Sequence, residues 1–146
     1  MRALIDTCIV IDALQNREGF SDDAQKIFLA VANKWFVGFL SAKSVTDIYY
    51  LTHHYTHSDK DARAVLNTLF QLFELMDTAG IDCRKATSSD ISDYEDAVMV
   101  ESAVRSGVDC IVTRNIKDYS KSPVPAYLPS DFLKLIDAFG GKSTNY

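Results

Sequence analysis

The sequence predicts a single α/β domain in which helices cover a parallel sheet. Short apolar runs alternate with amphipathic stretches along the chain, and this alternation is typical of parallel strands joined by helices. The 146 residues are enough for one compact domain. Hydrophobic residues make up 47% of the chain and charged residues 24%, a composition that excludes disordered and low-complexity proteins.

Three apolar runs have the length and composition of buried strands, namely residues 3–5, 35–40 and 110–113. The segment 73–78 fits either a strand or the end of a helix, because its periodicity does not distinguish the two.

Helices are predicted between these runs from apolar spacing and from capping residues. The first covers residues 8–14, and Ser21 and Ser58 each cap a later helix. Ser41 or Ser44 opens the helix after the second strand. A helix over residues 94–105 stops at Gly107. A last helix begins at Ser130; residues 1–139 form the domain and residues 140–146 a loose tail.

Charge and cysteine content narrow the functional classes. A net charge of −5 argues against a protein that binds nucleic acid through a broadly basic surface. The three cysteines are widely spaced and form no C-x-x-C pair, which indicates neither a disulfide framework nor a cysteine zinc site and favours a reducing cytoplasm. No apolar run is long enough to cross a membrane, and Asp6 interrupts the apolar core that a signal peptide would need.

Aspartates follow the predicted strands or open the helices beside them. Ligands of parallel α/β sheets bind at the carboxyl ends of the strands, so four aspartates are expected to meet at one edge. They are Asp6, Asp47, Asp96 and Asp118. Such a cluster is strongly repulsive unless a cation neutralises it. A purely oxygen donor set suits Mg²⁺ or Mn²⁺, and the chemistry that follows is metal-assisted hydrolysis of a phosphodiester.

Each aspartate also has a purely structural interpretation. Asp6 could cap the next helix, Asp96 could interact with its helix dipole, and Asp118 could serve a turn. Ser44 and Asp47 have the spacing of a capping box. Ser92 and Glu95 have the same spacing, which accounts for Glu95 and leaves Asp96 for the site; Asp93 is a further candidate ligand.

The histidines and the basic residues have interpretations that need no metal or catalytic role. His53, His54 and His57 lack the glutamate of an H-E-x-x-H zinc motif and are interpreted as a solvated helix end. Four basic residues near the expected pocket either hold phosphates or form a solvated face; they are Lys43, Arg114, Lys117 and Lys121.

Three motifs together resemble the PIN domain, the nuclease fold of VapC-type toxins in bacterial toxin–antitoxin pairs. They are Leu4-Ile5-Asp6-Thr7, Tyr94-Glu95-Asp96-Ala97, and Ile111-Val112-Thr113-Arg114-Asn115 followed by Asp118-Tyr119. The third motif is the most specific of them. The resemblance extends from the amino terminus to about residues 129–136, which is nearly the whole chain.

The resemblance implies a three-layer α/β/α sandwich with a central parallel sheet. It also implies RNA cleavage with Mg²⁺ or Mn²⁺, a homodimer and a small antitoxin partner. Asp6 matches the first metal-binding carboxylate, with Thr7 beside it, and Asp96 matches the third. Asp118 matches the fourth, with Thr113, Arg114 and Asn115 as orienting or substrate-binding neighbours. The second carboxylate, usually a glutamate in the family, falls on Asp47.

The leading hypothesis is therefore a Mg²⁺- or Mn²⁺-dependent endoribonuclease, the toxin of a type II toxin–antitoxin pair. The shorter Asp47 and the acidic overall charge leave open a PIN-like RNA-binding or interaction module with little catalysis. A phosphoacceptor receiver domain is a weaker alternative, because receivers carry their acidic residues earlier in the chain.

Overall fold

The computed structural model describes residues 1–140, and it describes side chains as far as residue 137. The predicted tail, residues 140–146, lies outside the described residues except for Gly140, which ends the last helix. Within this part of the chain, no helix is both long enough and apolar enough to cross a membrane.

Strands and helices follow one another in an α/β order. The strands are β1 (Arg2–Ile5), β2 (Val37–Ser41), β3 (Glu74–Met76), β4 (Cys110–Val112) and β5 (Ala126–Tyr127). The helices are α1 (Thr7–Leu14), α2 (Ser21–Ala32), α3 (Ala42–Thr56), α4 (Asp59–Leu72), α5 (Gly80–Ala86), α6 (Tyr94–Ser106) and α7 (Pro129–Gly140). A 3-10 helix, Ile116–Tyr119, lies between β4 and β5.

The five strands form one parallel sheet in the order β3-β2-β1-β4-β5. β1 is central: Leu4 is in register with Phe39 of β2 on one side and with Ile111 of β4 on the other. The chain winds outward from β1 in both directions, so the order reverses between β1 and β4. A crevice at such a reversal is where open α/β sheets bind ligands.

Two apolar cores lie on opposite faces of the sheet, which confirms the three-layer α/β/α sandwich. Ala3 and Ile5 of β1 pack in one core with α1, α2, α3, α4 and α7. Leu4, between them, packs in the other core with α5 and α6. Successive side chains of a strand point to opposite faces, so a strand buried on both sides reads as a continuous apolar run.

Several local predictions need correction. β2 begins at Val37 rather than at residue 35. Ser21 lies inside α2, whose cap is Phe20, whereas Ser58 caps α4 as predicted through a bond from the Asp61 amide. The sequence also gave no sign of α5 or β5, because seven residues and two residues are too short to show a period.

Both predicted capping boxes are wrong. Ser41, not Ser44, is the N-cap of α3, so Asp47 lies in the second turn rather than the first. Asp93, not Ser92, caps α6, and its carboxylate accepts a hydrogen bond of 2.9 Å from the Asp96 amide. In both cases the box matched the required spacing, but the chain turned into the helix at a different residue.

Candidate functional site

Asp6 and Asp96 lie together at the carboxyl edge of the sheet, in the crevice where the strand order reverses. Asp6 directly follows β1, and its backbone amide donates to the Val112 carbonyl at the end of β4. Asp96 lies in the first turn of α6. The hydroxyl of Tyr119 lies 3.1 Å from Asp96 Oδ1 and 3.5 Å from Asp6 Oδ2, so one side chain bridges both carboxylates.

Asp6 does not use its side chain to cap α1, although its backbone occupies the N-cap position. Oδ2 instead accepts a hydrogen bond of 2.8 Å from the buried Thr113 hydroxyl and one of 3.6 Å from the Cys8 thiol. Burial, reinforced by the Asp6 charge, raises the pKa of Cys8 to about 11, so the thiol stays protonated and donates. The structural alternative for Asp6 therefore does not account for its side chain.

Asp96 is the carboxyl group whose protonation is most strongly perturbed at this edge. Burial, reinforced by the negative charges of Asp93, Asp6 and Asp118, raises the pKa of Asp96 to about 6. The hydrogen bond from Tyr119 opposes this increase but does not cancel it. Like charges nearby raise the pKa of a carboxyl group, whereas a cation beside it would lower that pKa.

Tyr119 is a site residue that the sequence analysis did not single out. It ends the 3-10 helix, is 3% exposed, and its ring packs in the core beneath α6. Burial and the charges of Asp6 and Asp96 raise the pKa of its phenol, so the hydroxyl remains a donor. Its only signal in the sequence was its place after Asp118. An aromatic residue at that position is equally typical of the apolar core.

The other predicted orienting residues differ in their contacts. Thr113 is fully buried, and while its hydroxyl donates to Asp6 it also accepts from the Asn115 amide at 3.0 Å. Asn115 is exposed and contributes to this unit through its backbone. Thr7 begins α1 and is partly exposed beside Asp6.

Asp118 and Asp47 are both exposed. Asp118 lies in the 3-10 helix, near enough for its charge to raise the pKa of Asp96. Asp47 pairs with Lys43 on the same helix at 3.5 Å. Lys43 also reaches Glu95 of α6 at 3.3 Å, so the lysine links α3 to α6 next to Asp96.

Arg114 contacts a buried carboxylate that the sequence analysis missed. Its guanidinium donates to both oxygens of Asp12, at 2.6 and 3.2 Å, and lies 4.2 Å over the Phe20 ring. Asp12 is completely buried in α1. The position of an aspartate among apolar residues of a short helix was a usable signal, because a buried charge requires a partner.

The histidine cluster shows no metal-site geometry. His53, His54 and His57 are exposed at the end of α3, and His53 stacks on Tyr49. Across the part of the chain that the structure describes, no three histidine, cysteine, aspartate or glutamate side chains stand close enough to form a metal-binding group. The two carboxylates that the hydrogen bonds of Tyr119 bring together at the carboxyl edge are Asp6 and Asp96.

That pair fits a magnesium-like ion. Mg²⁺ usually keeps several waters and binds one or two carboxylates. The donors here are oxygens, and the two basic residues nearby already have other acidic partners. Arg114 is paired with Asp12, and Lys43 is paired with Asp47 and Glu95.

Comparison with protein families identifies one match: a family model described as PIN domain covers residues 2–117. The matched range contains Asp6, Asp47 and Asp96 and ends one residue before Asp118. No curated protein matches the chain in sequence.

Solved structures share the fold at low sequence identity. A toxin–antitoxin complex from Klebsiella pneumoniae is 21% identical, with a TM-score of 0.66 over 87% of this chain and 97% of that one. DNA-bound VapBC from Salmonella typhimurium is 16% identical, with a TM-score of 0.64 over 88% and 98%. VapC20 of Mycobacterium tuberculosis, described as a toxin that cleaves the sarcin–ricin loop, is 12% identical, with a TM-score of 0.59 over 75% and 86%.

Proposed function

Since the chain belongs to the PIN domain family, we propose that it is an endoribonuclease that requires Mg²⁺ or Mn²⁺. The single observation that carries this proposal is the pairing of Asp6 with Asp96 through Tyr119 in the crevice at the carboxyl edge of the sheet. Two carboxylates that contact the same hydroxyl, one of them with a raised pKa, are expected to attract a divalent cation.

In this proposal, Asp6 and Asp96 bind the ion directly, while Asp118 and Asp47 supply negative charge at the rim or bind through water. A bound ion would polarise the scissile phosphate and lower the pKa of an attacking water. Thr113 holds Asp6 in place through its 2.8 Å hydrogen bond. Lys43, between α3 and α6, has the charge to contact an RNA phosphate at the rim. Arg114 supports the loop rather than the substrate, since Asp12 occupies its guanidinium.

The chain is further proposed to act as the toxin of a type II toxin–antitoxin pair in the cytoplasm, as a homodimer with a small antitoxin partner. The support is the family membership together with the names of the structural neighbours, which are toxin–antitoxin complexes. Expression of wild type beside Asp6→Ala, with growth and RNA fragmentation scored together, tests this part. Growth arrest and fragmentation with wild type alone are expected, whereas equal growth of both strains contradicts the toxin assignment.

Purified variants test the catalytic assignment. Asp6→Asn and Asp96→Asn should lose Mn²⁺-dependent cleavage of RNA while keeping the circular dichroism spectrum and unfolding transition of a folded protein. Asp109→Asn is the matched control, because Asp109 precedes β4 at the opposite edge of the sheet and accepts a bond from the Arg2 amide. Retained cleavage by Asp6→Asn at the wild-type rate would refute the assignment.

One observation favours the second candidate, a PIN-like RNA-binding or interaction module with little catalysis. Asp47, which takes the place of the usual glutamate, pairs with Lys43 and has a side chain that is 51% exposed. Calorimetric titration with Mn²⁺ separates the two candidates. Binding that disappears in Asp6→Asn supports the nuclease, and RNA binding by wild type without any Mn²⁺ binding supports the module.

A further inference from the structure

We propose that the Tyr119 hydroxyl is a positioning group that holds Asp6 and Asp96 so that each presents one oxygen to a shared divalent ion. This inference rests on the proposed function, because it assumes that the two carboxylates bind the ion. It concerns a side chain that touches neither RNA nor ion and acts only through the two aspartates.

The hydrogen bonds divide the oxygens of each carboxylate into two kinds. Asp6 Oδ2 accepts from the Thr113 hydroxyl and the Cys8 thiol. The single hydroxyl proton of Tyr119 is shared between Asp96 Oδ1 at 3.1 Å and Asp6 Oδ2 at 3.5 Å. Within residues 1–140, the structure shows no donor to Asp6 Oδ1 or to Asp96 Oδ2. Each carboxylate is therefore held through one oxygen, while the other remains available to a ligand.

The position of the hydroxyl is itself fixed by packing. The Tyr119 ring is 3% exposed and lies in the core formed with Leu4 and Ile111, so it has little freedom to rotate away. The same loop carries Thr113, whose hydroxyl bonds both to Asp6 and to the Asn115 amide. Two of the three groups that contact Asp6 Oδ2 thus come from the segment after β4, and the third, Cys8, lies in α1.

Without the hydroxyl, the two carboxylates would lose the donor that lies between them. Like charges repel each other, so the side chains of Asp6 and Asp96 would be expected to turn apart. A ligand pair that must be brought back together binds an ion more weakly than one held in place. Phenylalanine keeps the ring and the core packing and deletes only this donor.

The test is Mn²⁺ binding by the purified full chain, measured by calorimetry on Tyr119→Phe and wild type. We expect the affinity of Tyr119→Phe to fall by about 10-fold or more, the usual loss for a partner that orients a metal ligand. Tyr49→Phe is the matched control, because it removes another tyrosine hydroxyl that donates to an aspartate, Asp59, between α3 and α4. Its affinity should equal that of wild type.

A second measurement separates loss of Mn²⁺ binding from any change that a substitution makes in the stability of the metal-free protein. For each variant, the rise in unfolding temperature on adding Mn²⁺ is measured against the same variant without the ion. A reduced rise for Tyr119→Phe, with a normal rise for Tyr49→Phe, supports the positioning role.

The failures of the two proposals are distinguishable. If Asp6→Asn binds Mn²⁺ as wild type does, the site itself is wrong and the proposed function fails with it. If Asp6→Asn has lost binding while Tyr119→Phe matches wild type in affinity and in temperature rise, the site stands and the role of Tyr119 is overturned.

Discussion

The carboxylate of Asp12 and the guanidinium of Arg114 form a two-point ion pair that ties α1 to the loop after β4. Their contacts are 2.6 and 3.2 Å long, the Asp12 side chain is 1% exposed, and Arg17 lies 3.7 Å away as a second cation. That loop also carries Thr113 and Tyr119, which contact Asp6. The ion pair therefore holds the loop in place without itself contacting Asp6 or Asp96.

Removal of Asp12 should therefore destabilise the fold. Asp12→Ala leaves Arg114 partly buried beside an empty position, and breaking such a pair from one side costs about 3–5 kcal/mol. Urea unfolding, followed by circular dichroism, measures the change. The double variant Asp12→Ala, Arg114→Met should recover part of the loss, since it also removes the partly buried guanidinium that Asp12 compensates. An unfolding midpoint unchanged in Asp12→Ala would contradict the structural role.

The raised pKa of Asp96 predicts how stability changes with pH in the absence of metal. The folded state holds a proton on Asp96 up to about pH 6, whereas the unfolded chain releases it near the ordinary value of 3.8. The folded state therefore binds more protons between these values, and this contribution to stability falls as the pH rises through them. It is fully lost above about pH 6.

Asp96→Asn should remove that contribution, so the difference in unfolding free energy between wild type and variant should change with pH over this range. Mn²⁺ has to displace the proton, so its affinity for wild type should rise as the pH increases through about 6. Asp109→Asn serves as the control, because Asp109 precedes β4 at the opposite edge of the sheet. Parallel pH profiles for wild type and Asp96→Asn would show that Asp96 is not perturbed.

Lys43 should act on RNA rather than on stability. Its ion-pair partners are exposed, Asp47 by 51% and Glu95 by 71%, and pairs of this kind contribute at most about 1 kcal/mol. If Lys43 contacts a phosphate, Lys43→Ala should weaken RNA binding and lower the slope of log K against log salt concentration by about 1.

Lys34→Ala is the matched control for this measurement. Lys34 precedes β2 at the opposite edge of the sheet, away from the carboxylates. Its salt dependence should equal that of wild type. Equal slopes for wild type, Lys43→Ala and Lys34→Ala would show that Lys43 does not contact an RNA phosphate.

The cap of α6 gives a test of local structure. Asp93→Ala removes the acceptor for the Asp96 amide and should cost about 1 kcal/mol of stability, the usual value for an N-cap. Ser92→Ala should have little effect, although Ser92 and Glu95 have the spacing of a capping box. Thermal unfolding compares the two variants, and an equal loss in both would argue against Asp93 as the cap.

The order of most elements, the parallel sheet, and the aspartates that follow β1 and open α6 could all be predicted from the amino-acid sequence. These features depend on local period, on apolar runs and on position relative to a strand end, all of which are written within a few neighbouring residues. Asp6 and Asp96 could be predicted as neighbours for this reason, because the carboxyl ends of parallel strands share one edge.

The partner of each polar group, in contrast, depends on how the folded chain packs. Arg114 is 102 positions from Asp12, and Tyr119 is 113 positions from Asp6, so no local pattern records either contact. Lys43 pairs with Asp47 four residues along the same helix, but its second contact, with Glu95 of α6, joins two distant segments. Hydrogen bonds and ion pairs act over a few ångströms in space, and distant segments acquire those distances only when the sheet and its two cores are packed.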